Sequence, residues 1–412
     1  MPRYSPFAPI PIPTSNLLTF LSPPESPLHT STKPIWINSE DPSISLSTGA
    51  ALPWTKRLAM GLERFQVASG GSRVKRGEVV LVLSPNQIFV AVAYLGIVGS
   101  GRVFSGMNPN YSVQEMVYQM KNTEAKIILV HPSLVDNALA AAKQADISPD
   151  RLFQFSDTVN SNKNDVRDWN NGLLATTQES HSYQWPELTG GEGAKTIATI
   201  NYSSGTTGLP KGACVSHRNV IANVLQSTAI RGVLQKYFAE RGPPQRWIGL
   251  LPLYHVTTRV GNDRGNFGRH ACSWGITDDT GSVGVLDPNC ECKPLDDDGN
   301  EVADGEPATR ETMLPNGWLR TGDIAIARGD WFWIVDRKKE LIKVNALQVA
   351  PAEPEAALLE HDGIDDAAVV VTTKNFPGHT SSPRRMQSKR IHRLRRPKSK
   401  NGLSPVFPNI HG

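Results

Sequence analysis

From Tyr202 to Gly212 the chain reads Tyr-Ser-Ser-Gly-Thr-Thr-Gly-Leu-Pro-Lys-Gly. Its core, Ser203 to Lys211, combines two glycines, four hydroxyl side chains and one lysine in nine positions. Gly205 and Gly208 let backbone N–H groups turn toward a guest, Ser203, Ser204, Thr206 and Thr207 add donors, and Lys211 supplies a point charge. Such a nest suits an anion, and polyphosphate is its natural guest. Any four-residue fragment would read equally well as a bare Ser/Gly/Thr turn; the whole string does not. Nor is it the common nucleoside triphosphatase loop, which needs Gly-Lys-Ser/Thr where this chain has Pro210-Lys211-Gly212.

Further along, four more segments carry polar groups in patterns that could do chemistry. Leu251-Pro-Leu-Tyr-His255 ends on a histidine, and Trp274-Gly-Ile-Thr277-Asp278 on a hydroxyl beside a carboxylate. Gly317-Trp-Leu-Arg-Thr-Gly-Asp323 ends on an aspartate; a carboxylate suits a sugar diol because it accepts two hydrogen bonds and donates none. Ile334-Val-Asp-Arg-Lys-Lys-Glu-Leu-Ile-Lys343 contains Arg337, Lys338, Lys339 and Lys343. A charge run of this kind is usually a solvated face, and Lys338 is read that way.

Together these segments resemble the signature motifs of the adenylate-forming enzymes, the superfamily of acyl-CoA synthetases, peptide-synthetase adenylation domains and luciferases. Within it the chain is most similar to the 4-coumarate:CoA ligase-like acyl-CoA ligases, from about Leu17 to Val371. The resemblance implies ATP, Mg²⁺ and coenzyme A as cofactors, and a small-molecule carboxylic acid activated to an acyl-adenylate and then an acyl-CoA. It implies that the 203–211 loop holds the β- and γ-phosphates, that Thr277 meets phosphate, and that Asp278 holds Mg²⁺. Asp323 and Arg337 would hold the ribose, His255 would orient the carboxylate, and Lys343 and Gln348 would contact the acyl-adenylate. Lys339 falls near the hinge that rotates the small domain.

The pattern has departures. Asp278 stands where relatives have Glu, one methylene longer; Thr257 where many have an aromatic pocket residue; Ala346 where they have glycine near the thiol tunnel. Only 17 residues, Thr257 to Ser273, separate the histidine motif from Trp274. That is room for about one helix or two strands, whereas relatives place much of the acyl pocket there. Gly305-Glu-Pro307 runs straight into Ala308, and nothing after Val371 matches the family's carboxyl-terminal Ser/Thr-Gly-Lys motif. Losing one such transition-state donor costs ~2.7–4 kcal/mol by analogy with oxyanion-hole deletions. A catalytically impaired nucleotide-binding remnant is therefore the alternative to an active ligase.

The elements that must position these groups are legible in outline. Val79–Leu83 and Ile127–Val130 are short apolar runs, Asn86–Val98 is a helical stretch, and Ser112–Lys121 repeats Val113, Met116, Val117 and Met120 at helix spacing. Strand, helix, helix, strand suggests a parallel sheet with covering helices. Asn160–Asn171 reads as a loop, Thr196–Tyr202 as a strand and His217–Ser227 as a helix, so the phosphate-type loop is expected to join strand to helix. Trp331–Val335 and Leu341–Val344 read as strands and a helix is expected near Pro351. The expected fold is α/β: a large domain of stacked mixed and parallel sheets with helices, and a small, incomplete, hinged α+β domain. The expected boundaries are an amino-terminal arm over 1–45, an adenylation domain over 46–335, a partial second domain over 336–376 and a basic disordered tail over 377–412.

Composition sets the outer bounds. The 412 residues are 39% hydrophobic and 20% charged with a net charge of +4, an ordinary globular balance. Nine basic residues between Arg384 and Lys400 sit with no acid among them; without them the chain is mildly acidic, and a nucleic-acid partner is not expected. That tail could tether a nucleic acid or a membrane, but it lacks the interleaved aromatics of a single-strand binder. Cys214, Cys272, Cys290 and Cys292 are too few for a disulfide scaffold, and Cys290-Glu-Cys292 lacks zinc-site spacing. The longest apolar run, Ile88 to Val98, falls short of the ~20 residues that span a bilayer and reads as a buried helix. The opening residues lack a basic segment followed by an apolar one, so a secretory signal is not expected; Ile410-His411-Gly412 is not the peroxisomal address some relatives carry, and a cytoplasmic location is expected.

Overall fold

Four successive strands, from Val79 to Gln154, are short, mostly apolar segments buried on both faces, the habit of a parallel sheet covered by helices. The computed structural model describes residues 2–66, 73–156, 165–203, 210–239, 252–254, 272–273, 282, 284–293, 323–337, 342–344 and 347–349. Its main sheet comprises β1 (Val79–Leu83), β2 (Val103–Met107), β3 (Ile127–Val130), β4 (Leu152–Gln154), β5 (Arg167–Asp168), β6 (Ile197–Ser203) and β7 (Lys211–Ser216). The order across the sheet is β7-β6-β2-β1-β3-β4-β5. All neighbours are parallel except β7, which runs antiparallel to β6 at the edge.

Six helices matter here: α1 (Leu17–Leu21), α2 (Thr48–Arg64), α3 (Phe89–Gly99), α4 (Val113–Thr123), α5 (Val135–Gln144) and α6 (His217–Ala239). α3 is apolar all round and almost wholly buried, whereas α4 is amphipathic and starts at a capping box between Ser112 and Glu115. Alternation along β1 sends Val80 and Val82 into one core with α1, α2, α3 and the start of α6. Val79, Leu81 and Leu83 enter a second core with α4 and α5. The chain leaves β1 toward β2 on one side and returns past β1 to β3 on the other. Right-handed crossovers therefore place α3 and α4 on opposite faces, and the order β2-β1-β3-β4-β5 puts the topological switch point between β1 and β3; α/β sheets bind ligands outside the carboxyl ends of their strands at such a point.

Beyond the sheet, β8 (Asp323–Arg328) and β9 (Trp331–Arg337) form an antiparallel hairpin, and β10 (Ile342–Val344) pairs with β11 (Leu347–Val349). The chain divides into two compact units, one of residues 1–203 and 210–339, the other of 204–209 and 340–412. Among the described residues no helix is long and apolar enough to cross a membrane.

Several local expectations change. Val103–Met107 is a central strand between the two expected helices, and Val135–Gln144 is a further helix. α3 begins at Phe89, leaving Asn86 in a loop. Within the expected polar loop, Arg167–Asp168 adds to the sheet edge and Trp169 is buried in the first core. The amino-terminal arm is not wholly superficial, since Asn16, Leu17 and Leu18 are buried. The expected helix near Pro351 and the basic tail lie outside the described residues.

Candidate active site

The loop expected to receive polyphosphate lies in a β-hairpin and not between a strand and a helix, because Lys211–Ser216 forms β7 before α6 begins. Ser203 and Lys211 are cross-strand partners at its mouth, and the Lys211 side chain is exposed. β6 runs parallel to β2, with Phe104 paired to Thr199 and Ser105 to Ile200. Ser203 therefore ends β6 at the carboxyl edge of the sheet, on the far side of β2 from β1. Ser204, Gly205, Thr206, Thr207 and Gly208 lie outside the described residues.

Helix α4 pins the hairpin. The Tyr118 hydroxyl donates to the Pro210 carbonyl at 3.0 Å, and the Tyr202 hydroxyl donates to Asn122 Oδ1. Tyr118 and Asn122 are one turn apart and share a helix face. Burial, followed by its neighbours Tyr118, Cys214 and Tyr111, pushes the Tyr202 phenol up to about 12, so it remains a neutral donor. Gly212 is required by close approach: a Cβ there would stand 2.8 Å from Ile200 Cγ2 and 3.2 Å from the Tyr202 ring.

At the start of α6, His217 is fully buried and its Nδ1 accepts the Leu17 N–H at 3.0 Å. The neutral ring therefore carries its proton on Nε2, which has no hydrogen-bond partner among the described residues. Burial pushes the imidazole down to about 4. Sequence reasoning gave this histidine no role beyond opening a helix; it ties the amino-terminal segment to the end of the β6–β7 hairpin.

The histidine motif comes to the same edge of the sheet. The Leu253 N–H donates to Asn86 Oδ1 at 2.7 Å, in the loop that follows β1. Burial raises the neighbouring Tyr254 phenol above its ordinary value. His255 itself lies outside the described residues, as do Thr277 and Asp278. The last two fall in sequence between Cys272–Ser273 and Val285–Leu286, which pair antiparallel. Asn86 is a residue that sequence reasoning missed, having placed it within a helix.

Asp323 and Arg337 are cross-strand Cα partners at the open end of the β8–β9 hairpin. Direct antiparallel partners have Cα atoms about 4.5–5.5 Å apart, so the two residues expected to share a ribose are adjacent in the backbone ladder. In the second unit, Lys343 and Gln348 are likewise Cα partners across β10 and β11. Among the described residues no cluster of three His, Cys, Asp or Glu could hold a metal ion.

The family model described as AMP-binding enzyme matches residues 45–262, more than half of the chain. An acyl-CoA synthetase of Alternaria alternata is 28% identical, the match covering 82% of this chain and 75% of that protein. A phenylacetyl-CoA ligase of Aspergillus niger is 26% identical over 82% of this chain and 81% of its own. Among solved structures, ATP-bound MatB of Rhodopseudomonas palustris superposes with a TM-score of 0.55 at 19% identity, covering 86% of this chain and 85% of that one. The fold is therefore that of adenylate-forming enzymes.

Proposed function

The chain belongs to the AMP-binding enzyme family, and from that premise we propose that it uses ATP to activate a carboxylic acid, aryl or fatty, to an acyl-adenylate and then an acyl-CoA. In the first step a carboxylate oxygen attacks the α-phosphorus and the bond to pyrophosphate breaks. In the second, a thiolate sulfur attacks the acyl carbon and AMP leaves. The 203–211 loop holds the polyphosphate, with Lys211 at its mouth, while Asp323 and Arg337 hold the ribose. His255 orients the carboxylate, and Lys343 and Gln348 contact the acyl-adenylate.

The observation that carries this reading is convergence: β6 delivers the loop's first residue to the carboxyl edge of the sheet, and the Leu253–Asn86 hydrogen bond holds the histidine motif to the same edge. Two motifs about fifty positions apart in sequence thus reach the same edge of the sheet. Mg²⁺ is bound by one or two carboxylates together with substrate phosphates; Asp278 would supply the protein's share while Thr277 meets the phosphate, and the ion would neutralise charge on the departing pyrophosphate.

Pyrophosphate release tests the proposal. The purified protein, given ATP and a panel of aryl and fatty acids, is expected to release pyrophosphate only when acid and nucleotide are both present.

A second reading, a nucleotide-binding remnant without ligase activity, is favoured by one finding. The alignment to the Alternaria synthetase runs to 453 positions, longer than the 412-residue chain, although it takes up only 82% of it. The relative thus has many residues with no counterpart here, in keeping with the short interval from Thr257 to Ser273. No pyrophosphate with any acid, beside saturable AMP binding, would establish the remnant.

A further inference from the structure

Residues Arg3 to Leu18 connect the main sheet to the hairpin that carries Asp323 and Arg337. At the sheet end, Asn16 is 1% exposed and its amide donates to the carbonyls of Gly99 (3.0 Å) and Pro186 (3.1 Å). Leu17 and Leu18 are buried in the first core, and the Leu17 N–H is held by His217. This end is a fixed anchor.

At the other end, Arg3 and Tyr4 pair antiparallel with Cys292 and Glu291. The Ser5 N–H donates to the Cys290 carbonyl at 3.1 Å and its hydroxyl to the Leu286 carbonyl at 3.0 Å. Asn289 and Ile10 bond reciprocally: the Ile10 N–H donates to Oδ1 at 2.8 Å and Nδ2 donates to the Ile10 carbonyl at 2.7 Å. The Arg3 guanidinium also donates to the carbonyl of Gly329, in the turn between β8 and β9. The segment that receives these bonds is itself joined to the hairpin. The Phe332 N–H donates to the Gly284 carbonyl at 3.0 Å, and Leu286, Ala327 and Phe332 are buried together.

Between the two ends stand Pro6, Pro9, Pro11 and Pro13. A proline-dense stretch is a stiff spacer and transmits position better than a flexible coil. We infer that residues 3–18 form a strap that fixes the β8–β9 hairpin relative to the main sheet and thereby positions Asp323 and Arg337 on the ribose. The inference rests on the ribose role proposed above for those two residues.

The test measures ribose recognition. Dissociation constants for AMP, 2′-deoxyAMP and inorganic pyrophosphate are compared in the full chain and in variants that loosen the strap. Asn289→Gly removes both bonds to Ile10 while suiting the left-handed backbone at that position (φ 62°). Arg3→Ala and Ser5→Ala cut the remaining side-chain ties, leaving the backbone pairing in place, and Arg3→Lys restores a donor. The wild type is expected to prefer AMP over 2′-deoxyAMP. In Asn289→Gly combined with Arg3→Ala that preference is expected to fall by about tenfold, the scale of one hydrogen bond to a charged group. Pyrophosphate affinity stays unchanged, and Arg3→Lys recovers part of the preference.

A smaller folded fraction would weaken AMP and 2′-deoxyAMP alike and leave their ratio intact. An unchanged ratio in the strap variants, where the wild type discriminates and Asp323→Ala does not, would overturn the strap alone. A wild type with no preference, or an Asp323→Ala variant that keeps it, would remove the ribose role and the strap with it.

Discussion

Acidification should unseat His217, and the size of the effect follows from its surroundings. The imidazole is buried, its Nδ1 already faces the Leu17 N–H, and its pKa lies at about 4 against an ordinary 6.5. A proton added at Nδ1 would set two donors against each other. Below about pH 6.5 the unfolded chain takes up this proton and the folded chain does not, so stability that is fully present above that pH declines until the folded pKa is reached. A shift of two to three units at 1.36 kcal/mol each gives about 3 kcal/mol over the whole window, roughly 2 of it between pH 7 and pH 5. His217→Gln keeps an acceptor for Leu17 and cannot titrate. Urea unfolding of both proteins at half-unit steps from pH 7.5 to 4.5 is expected to show the wild type losing about 2 kcal/mol more than the variant. Parallel curves, or an NMR titration placing His217 near 6.5, would refute the reasoning.

Two other substitutions probe the site's support. Gly212→Ala drives a Cβ against Ile200 and the Tyr202 ring; overpacking of this kind costs about 1–3 kcal/mol, and nucleotide titration is expected to show weaker ATP binding with AMP affected less. Asn86→Ala removes the acceptor of the Leu253 N–H, worth about 1 kcal/mol when made. Steady-state kinetics are expected to show KM for the acid rising severalfold with KM for ATP little changed, and the reverse pattern would detach the histidine motif from the acid.

What was legible in the sequence follows physical lines. Val79–Leu83 announces itself because both faces are buried, so every position is apolar. Val103–Met107 hides because Ser105 and Gly106 interrupt it; Ser105 is buried all the same, its hydroxyl donating to the Ile200 carbonyl. β7 hides for the opposite reason: as an exposed edge, Lys-Gly-Ala-Cys needs no alternation. The phosphate-type loop stands out in the sequence because its chemistry is local, although residues 204–209 lie outside those described. The pairing of Asp323 with Arg337 had a usable signal, Gly329-Asp330 between two strand-like runs, which is a hairpin turn with Gly329 at positive φ. The bond from Leu253 to Asn86 had none, since it joins residues 167 apart through a backbone amide.

The central claim is that one nucleotide is held by its phosphates at the β6–β7 loop and by its sugar at the β8–β9 hairpin. Calorimetric titration of ATP into the folded wild type and into the Lys211→Ala/Asp323→Ala double variant tests it most directly. The account predicts saturable binding to the wild type and its loss in the double variant at unchanged circular dichroism. Equal binding by both proteins, or none by the wild type, would contradict it.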